Sequence, residues 1–358
     1  MPDRIRGFDG ARDFINYPAG LVDGYGRPRL DPLRRRERET SSMIERTRNL
    51  FARSAGLGLI WALAGGCSVT KFAANRAGDA LSGSGTTFAS DDDPELIKAA
   101  VPFSLKLMES LLAKTPKHQG LLLSTCSGFT QYSFAFVEQD ADETAPRDFT
   151  AARAQYVRAR RLYLRARDYG LRGLTVVHPP FREELLRNPQ ASLARTTVAD
   201  VPLLYWTAAS WAKAITLSKD DPELLADLPI VEAMIDRALA LDERFDRGAI
   251  HGFLISYEMI RPRGEGEAGN RARKHFERAV ELAHGKIAAP YVSLAEATCI
   301  STQDRKGFEA LLQQALAIDA DQQPEDRLVN LVMQKRARWL LSRRDELFVE
   351  PEPVKNEK

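Results

Sequence analysis

The sequence is poor in the residues that build metal and redox sites, because its 358 residues include only three cysteines and five histidines. A zinc site takes its ligands from closely spaced cysteines and histidines, and no such spacing occurs here. The enzyme signatures G-x-S-x-G and H-E-x-x-H are also absent. We therefore expect no metal, no cofactor and no enzymatic activity, although an unrecognised hydrolase is a competing hypothesis.

An excess of charge of one sign is lacking too. The chain has 51 basic and 49 acidic side chains, a net charge of +2. From Cys67 onward it has 39 basic and 41 acidic side chains, a net charge of about −2. A nucleic-acid-binding surface needs a basic field, so we expect no nucleic-acid partner.

Long hydrophobic runs are also missing near the start of the chain, where an apolar run of ten residues extends from Ala55 to Ala64. Ten residues are about half of the roughly 20 that a membrane-spanning helix needs. A basic segment precedes the run and small residues follow it, which predicts a signal peptide over residues 43–66. The alternative is a buried hydrophobic helix.

Cys67 follows Gly65 and Gly66 directly, and this arrangement resembles the lipobox of bacterial lipoproteins. Position −3 is usually leucine in that family, whereas Ala64 stands here. The resemblance implies a covalent lipid on Cys67 and attachment to a membrane in the periplasm. Ser68 follows in place of aspartate, which resembles lipoproteins sent to the outer membrane. A plain signal peptide is the alternative.

The predicted signal peptide divides the chain into segments. Residues 1–42 are expected to be untranslated, with Met43 as the start, or to form a disordered basic arm. Residues 67–92 are polar and small, which predicts a flexible tether. Residues 93–350 form the predicted helical domain, and residues 351–358 form a tail.

The predicted domain is all-α, because β-hairpin signals and alternating runs are nearly absent after Asp93. Asp93-Pro94-Glu95 has the composition of a helix start, and Asp221-Pro222-Glu223 repeats it. Four helices carry apolar residues at the spacing 0, 4, 7. They are Ala159, Tyr163, Ala166; Val231, Ile235, Ala238; Ala272, Phe276, Ala279; and Phe308, Leu312, Ala315.

This spacing resembles the second helix of the tetratricopeptide repeat, whose period is 34 residues. We therefore expect a solenoid of tetratricopeptide-like helical hairpins. A hairpin of this kind cannot bury its apolar faces alone, so neighbouring hairpins stack to complete the core. We expect the solenoid to be curled around an apolar interior.

A second kind of helix is apolar on nearly every side and must be covered on every side. Residues 121–137 carry no charge, and residues 201–217 carry only that of Lys213. Such helices form either ordinary core or the aromatic wall of an internal cavity. The candidate cavity residues are Tyr132, Tyr205, Trp206, Trp211, His251, Tyr257 and Tyr291.

Five strings carry a resemblance to a known family: residues 128–132 (GFTQY), 160–166 (RRLYLRA), 203–208 (LLYWTA), 248–251 (GAIH) and 290–292 (PYV). Together they resemble the T-component family associated with TRAP transporters, over roughly residues 67–348. The resemblance implies a lipid-anchored periplasmic protein beside a solute-binding protein, with a hydrophobic small molecule held inside. Assembly into a homo-oligomer is a further expectation.

Three alternatives stay open from the residues alone. The protein could instead be a scaffold lipoprotein in envelope assembly, without a small-molecule ligand. The arginine-rich helix between Arg153 and Arg172 could be a solvated face or a docking surface for an acidic partner. Cys126 and Cys299 could be buried thiols or a disulfide.

The lipid anchor can be tested at the cysteine itself. We expect Cys67→Ser to leave an unprocessed or soluble protein, because this thiol is the acyl acceptor beside the predicted cleavage site. Labelling cells with radioactive palmitate measures this directly. Palmitate entering the Cys67→Ser protein as it enters the wild type would contradict the assignment.

Overall fold

A computed structural model of the protein describes residues 74–80, 83, 85–261 and 266–349. Within these ranges the ordered secondary structure is helical and no strand occurs, which confirms the all-α prediction. None of the described helices is both long enough and apolar enough to cross a membrane. The predicted signal peptide, Cys67, residues 1–42 and the tail 351–358 lie outside the described residues.

The helices follow one another with short connections. In chain order they are α1 (Gly85–Ala89), α2 (Pro94–Lys114), α3 (Gln119–Tyr132), α4 (Gln139–Thr144), α5 (Phe149–Val177), α6 (Phe181–Arg187), α7 (Pro189–Ala194), α8 (Val201–Thr216), α9 (Pro222–Leu225), α10 (Leu228–Leu241), α11 (Ala249–Tyr257), α12 (Ala268–Leu282), α13 (Ala289–Leu294), α14 (Arg305–Ala317), α15 (Arg327–Ser342) and α16 (Arg344–Leu347). Two π-helical turns, Ser133–Glu138 and Ala295–Cys299, continue α3 and α13. Short 3₁₀ turns occupy Val198–Asp200, Phe245–Arg247, Ala320–Gln322 and Pro324–Asp326.

The helix starts read from the sequence are confirmed at two places. The Asp93 carboxylate accepts hydrogen bonds from the backbone amides of Glu95 and Leu96, each at 3.0 Å. Asp221 accepts one from the amide of Leu224 at 3.1 Å. These bonds satisfy amides that have no partner inside the helix.

Part of the segment predicted as a tether is helical. Residues 74–80 form helical turns, and α1 begins at Gly85. The ring of His118, just before α3, lies 3.3 Å from the carbonyl oxygen of Asn75 and 3.2 Å from the Asp79 carboxylate. This stretch therefore packs on the helical body before α2 begins.

The residues at spacing 0, 4, 7 form the buried faces of α5, α10, α12 and α14. Eleven of the twelve are buried, and Phe276 is partly buried against the same clusters. Each of these helices packs against a helix that comes earlier in the chain: α3, α8, α11 and α13 respectively. Such pairing is what stacked helical hairpins require. The tetratricopeptide assignment itself stays a prediction.

The last long helix returns to the beginning of the described chain. Helix α15 packs against α14 and also contacts α1 and α2. At this junction Arg327 Nη1 donates a hydrogen bond to the carbonyl oxygen of Ser90 at 2.8 Å. Val332 of α15 belongs to the main hydrophobic cluster, whose other members lie between Ile97 and Tyr257. The two ends of the helical body are thus in direct contact.

Helices α3, α5 and α8 approach one another closely at Gly170. A Cβ atom at this position would overlap Thr207 of α8 and would lie 2.9 Å from the sulfur of Cys126 on α3. Cys126 and Cys299 are both buried free thiols. Burial raises the pKa of the Cys126 thiol to about 12, so Cys126 packs as a small apolar residue.

This close approach predicts opposite results for two glycine substitutions. We expect Gly170→Ala to lower the free energy of unfolding by about 1–3 kcal/mol through overpacking. The matched control is Gly252→Ala on α11, where a Cβ would meet no atom within 4 Å. That change should raise the free energy of unfolding by about 0.5–1 kcal/mol, because alanine has a better helix propensity than glycine. Urea unfolding measures both, and equal effects would contradict the packing described here.

Candidate functional site

The aromatic residues predicted as a cavity wall lie in and against the hydrophobic clusters. Tyr132, Tyr205, Trp211 and Tyr257 belong to the main cluster, and Tyr291 belongs to the second, which runs from Ala288 to Phe348. Trp206 packs against the main cluster and keeps part of its surface exposed. Its ring centroid lies 4.9 Å from that of Tyr205, in an edge-to-face arrangement.

The polar tips of these aromatics differ in their partners. Trp211 Nε1 donates to Asp227 at 3.1 Å, and the Tyr132 hydroxyl accepts a hydrogen bond from Arg158 at 3.3 Å. The Tyr257 hydroxyl is buried without a hydrogen-bond partner among the described residues. An unsatisfied buried hydroxyl costs free energy, and a bound molecule with a polar group could satisfy it.

Charged residues lie beside the aromatics. One of them lies within an otherwise uncharged run of the sequence, and another lies directly after such a run. Lys213 is the lone charge of α8, and Glu138 directly follows the uncharged run 121–137. Lys213 Nζ donates to one Glu138 oxygen, and the Tyr163 hydroxyl donates to the other. Burial, followed by the Glu138 charge, raises the pKa of Tyr163 well above its usual value, so this tyrosine stays a donor.

A second set of charges is centred on Arg336 of α15. Its guanidinium lies 2.9 Å from the Asp142 carboxylate of α4 and donates to Glu296 at 2.6 Å. The Tyr156 hydroxyl donates to the other Asp142 oxygen at 2.6 Å. The Arg336 side chain is only 12% exposed, so its charge depends on these carboxylates for neutralisation.

These residues form one group, which we call the interior polar network: Glu138, Asp142, Tyr156, Tyr163, Lys213, Glu296 and Arg336. Burial is the main reason that the pKa values of Tyr156 and Tyr163 are raised, and the charges of Asp142 and Glu138 each contribute to both shifts, so the two sets interact electrostatically. Glu138 lies on one of the two π-helical turns and Glu296 lies on the other. Such turns are frequent at functional sites.

The sequence indicated an apolar interior with aromatic walls and did not predict this network. The physical reason is that its partners lie far apart in the chain. Arg336 is 40 residues from Glu296, and Lys213 is 75 residues from Glu138. In the sequence, only Lys213 and Glu138, which lie within or beside apolar runs, indicated such a network. No residue spacing in the sequence indicated that Arg336 would join it.

Two cavities have polar and charged linings. One, of about 360 Å³, is lined by Tyr291 together with Lys286, Asp319 and neighbouring residues of α14 and the turn after it. The other, of about 350 Å³, is lined by Asp140, Glu143, Thr144, Arg147 and Gln155. Both are open to solvent, and neither is lined by Trp206 or Tyr257. The sequence analysis identified Tyr291 and missed the rest of these linings.

His251 of α11, a candidate cavity residue, packs against His275 of α12. Their Nδ1 atoms lie 2.8 Å apart, so one ring must donate the proton that the other accepts. His251 Nε2 lies 3.4 Å from the Glu243 carboxylate, and His275 Nε2 lies 3.9 Å from Glu258. Burial lowers the pKa of both histidines.

Glu258 beside this pair is only 2% exposed. Burial opposes its ionisation, but hydrogen bonds from Arg271 and Arg261 outweigh that effect and hold the pKa below its usual value. Across the described ranges, no group of three or more histidine, cysteine, aspartate or glutamate side chains is arranged to hold a metal ion. The hydrogen bond between His251 and His275 links α11 to α12.

Comparison with known proteins decides the family. The family model described as TRAP transporter T-component matches residues 90–348, which include the whole interior polar network. The chain belongs to the T-component family of TRAP transporters. This confirms the resemblance seen in the sequence, and it makes the protein an accessory component of TRAP transport.

A relative of this T-component occurs in Treponema pallidum (strain Nichols), where it is described as an uncharacterized protein. The two are 30% identical over 267 residues, which cover 74% of this chain and 83% of the relative.

The histidine pair predicts a pH dependence of stability. Because burial lowers both pKa values, the unfolded chain binds protons near its ordinary histidine pKa of about 6.5, where the native state does not. These two histidines therefore leave the free energy of unfolding unchanged above about pH 6.5 and lower it as the pH falls below that value. We expect His251→Gln/His275→Gln to reduce the loss of stability between pH 7.5 and 5.5.

Urea unfolding at several pH values measures that loss. His284→Gln is the matched control, since His284 is exposed just beyond the end of α12, and it should keep the wild-type dependence. An unchanged dependence in the double variant would show that the pair does not carry it.

Proposed function

We propose that this T-component is a lipid-anchored periplasmic protein that docks the solute-binding protein of its TRAP system. The observation that carries the proposal is the family match over residues 90–348, nearly all of the helical body. Stacked helical hairpins present extended surfaces that suit protein docking. The proposed anchor is a lipid on Cys67 in the outer membrane.

The structure supports a position close to the membrane for an anchored protein. Residues 74–80 already pack on the body beside His118. Seven residues of fully extended chain reach at most about 25 Å. An acyl chain on Cys67 would therefore hold the start of α3 within about that distance of the bilayer surface.

We further propose that the interior holds a small molecule with an apolar body and a polar head. Trp206 keeps part of its ring exposed beside Tyr205, and the buried Tyr257 hydroxyl has no partner in the described part of the chain. The interior polar network supplies both positive and negative groups. Sites of this kind combine aromatic walls with a few fixed polar groups.

Native mass spectrometry of the full chain tests both parts of this proposal. Mixed with the solute-binding protein of the same transport system at tens of micromolar, it should show the mass of a complex. Alone, it should carry an additional small mass, which Trp206→Ala loses while remaining folded. The same spectra report whether the chain forms a homo-oligomer.

The control for ligand loss is Phe103→Ala, because Phe103 of α2 is 74% exposed and should not affect an interior ligand. Absence of any complex would contradict docking. A ligand-free wild type, with a Trp206→Ala variant that simply melts earlier, would mean that these aromatics are packed core. A complex without a ligand would support docking and contradict the ligand part of the proposal, whereas neither complex nor ligand would favour the competing hypothesis of a scaffold lipoprotein in envelope assembly.

A further inference from the structure

The first half of α5 and the residue pair before it are densely basic. Residues 147–167 include seven arginines and a single acidic residue, Asp148. The Asp148 carboxylate accepts a hydrogen bond from the amide of Ala151 at 2.9 Å, so it caps the helix. This density of arginines is unusual in a chain whose basic and acidic residues nearly balance in number from Cys67 onward.

Four of these arginines are exposed and have no carboxylate partner. The side chains of Arg147, Arg153 and Arg161 make no hydrogen bond or ion pair with another described residue, and the Arg158 side chain donates only to the Tyr132 hydroxyl. The other three arginines are paired: Arg160 with Asp221, Arg165 with Glu109 and Arg167 with Asp168. The unpaired positive charge is thus concentrated at one end of the helix.

Arg153 and Arg161 share one face of α5, and Arg147 lies just before the helix begins. Residues four apart lie on the same side of a helix, which places Arg153, Val157 and Arg161 together. The opposite side packs into the core through Ala159 and Tyr163, which are fully buried. The arginine face is therefore presented outward by a helix whose position is fixed.

Two large apolar side chains lie among the arginines. Phe149 is 69% exposed and Val157 is 42% exposed. Exposed apolar side chains beside arginines resemble the composition of protein–protein interfaces, in which aromatic residues and arginine are enriched. We call this group the arginine surface: Arg147, Phe149, Arg153, Val157, Arg158 and Arg161.

We infer that the arginine surface docks an acidic face of the solute-binding protein. The inference rests on the proposed docking function and assigns it a place on the molecule. Guanidinium groups without carboxylates of their own remain available for bidentate pairing with a partner's aspartates and glutamates. Phe149 and Val157 would supply apolar contact at the centre of the interface.

A protein partner fits this surface better than a nucleic acid or a lipid bilayer. Nucleic-acid surfaces extend a basic field over much of a domain, whereas here the cluster of unpaired arginines covers only one end of one helix. Complementary charges at an interface speed association and make it sensitive to salt. Salt dependence of the affinity is therefore a direct readout of this surface.

Charge reversal tests the inference. We expect Arg153→Glu/Arg161→Glu in the full chain to weaken binding of the solute-binding protein at least tenfold in 50 mM NaCl, as measured by isothermal titration calorimetry. Wild-type affinity should fall several-fold between 50 and 300 mM NaCl, and most of this dependence should disappear in the variant. Circular dichroism checks that both proteins have the same melting temperature.

The matched control is Arg244→Glu/Arg338→Glu, which makes the same change of charge. Both arginines are exposed, and their side chains have no hydrogen bond or ion pair within the described ranges. This control should bind within about twofold of the wild type. Should the first variant fold poorly, Arg153→Gln/Arg161→Gln removes the two charges without reversing them and should still weaken binding severalfold.

The outcomes separate the two proposals. Wild-type binding that both charge-reversal variants retain equally would overturn the arginine surface and leave docking intact. No binding by the wild type would overturn docking itself. If the Arg153/Arg161 variant lost binding to phosphatidylglycerol vesicles or to RNA, but kept its affinity for the solute-binding protein, the surface would belong to another class of partner and the inference would be wrong.

Discussion

A guanidinium that is largely removed from water must be neutralised where it lies, and Arg336 is the residue on which this constraint acts most strongly. Asp142 and Glu296 meet it from α4 and from the π-helical turn after α13. One side chain of the last long helix thereby joins elements from the first and last parts of the helical body. Removing one partner from a fully buried ion pair costs about 3–5 kcal/mol. The cost here would be smaller, because both carboxylates are more exposed than the guanidinium.

The same constraint determines what kind of interior the proposed ligand would meet. Helices α3 and α8 are almost wholly apolar, yet Glu138 and Lys213 lie where their ends approach and neutralise each other. Aromatic rings and paired charges therefore lie side by side. An entirely apolar molecule would leave such charges poorly solvated. A molecule with a polar head could contact both kinds of surface.

Arginine has two different roles in this protein, and the difference lies in its partners. Inside the body, Arg261, Arg271 and Arg336 each pair with carboxylates of other helices and hold those helices together. At the start of α5, arginines face outward without carboxylates. A paired arginine stabilises the fold, whereas an unpaired, exposed one is available to a partner. Isolated unpaired arginines such as Arg244 and Arg338 occur elsewhere on the exterior, so the clustering of unpaired arginines beside exposed apolar side chains distinguishes the proposed docking surface.

The sequence by itself determined the helical class, the helix starts at Asp93 and Asp221, the buried faces at spacing 0, 4, 7, and the family. These features are local, since periodicity and capping depend on residues within a few positions of one another. Only the tertiary structure decided that α15 returns to α1 and α2, that His251 meets His275, and that Arg336 lies between Asp142 and Glu296. These contacts join residues 24 to 237 positions apart. Patterns of residue spacing do not predict contacts between residues so distant in the sequence, because the packing of whole helices decides which of them meet.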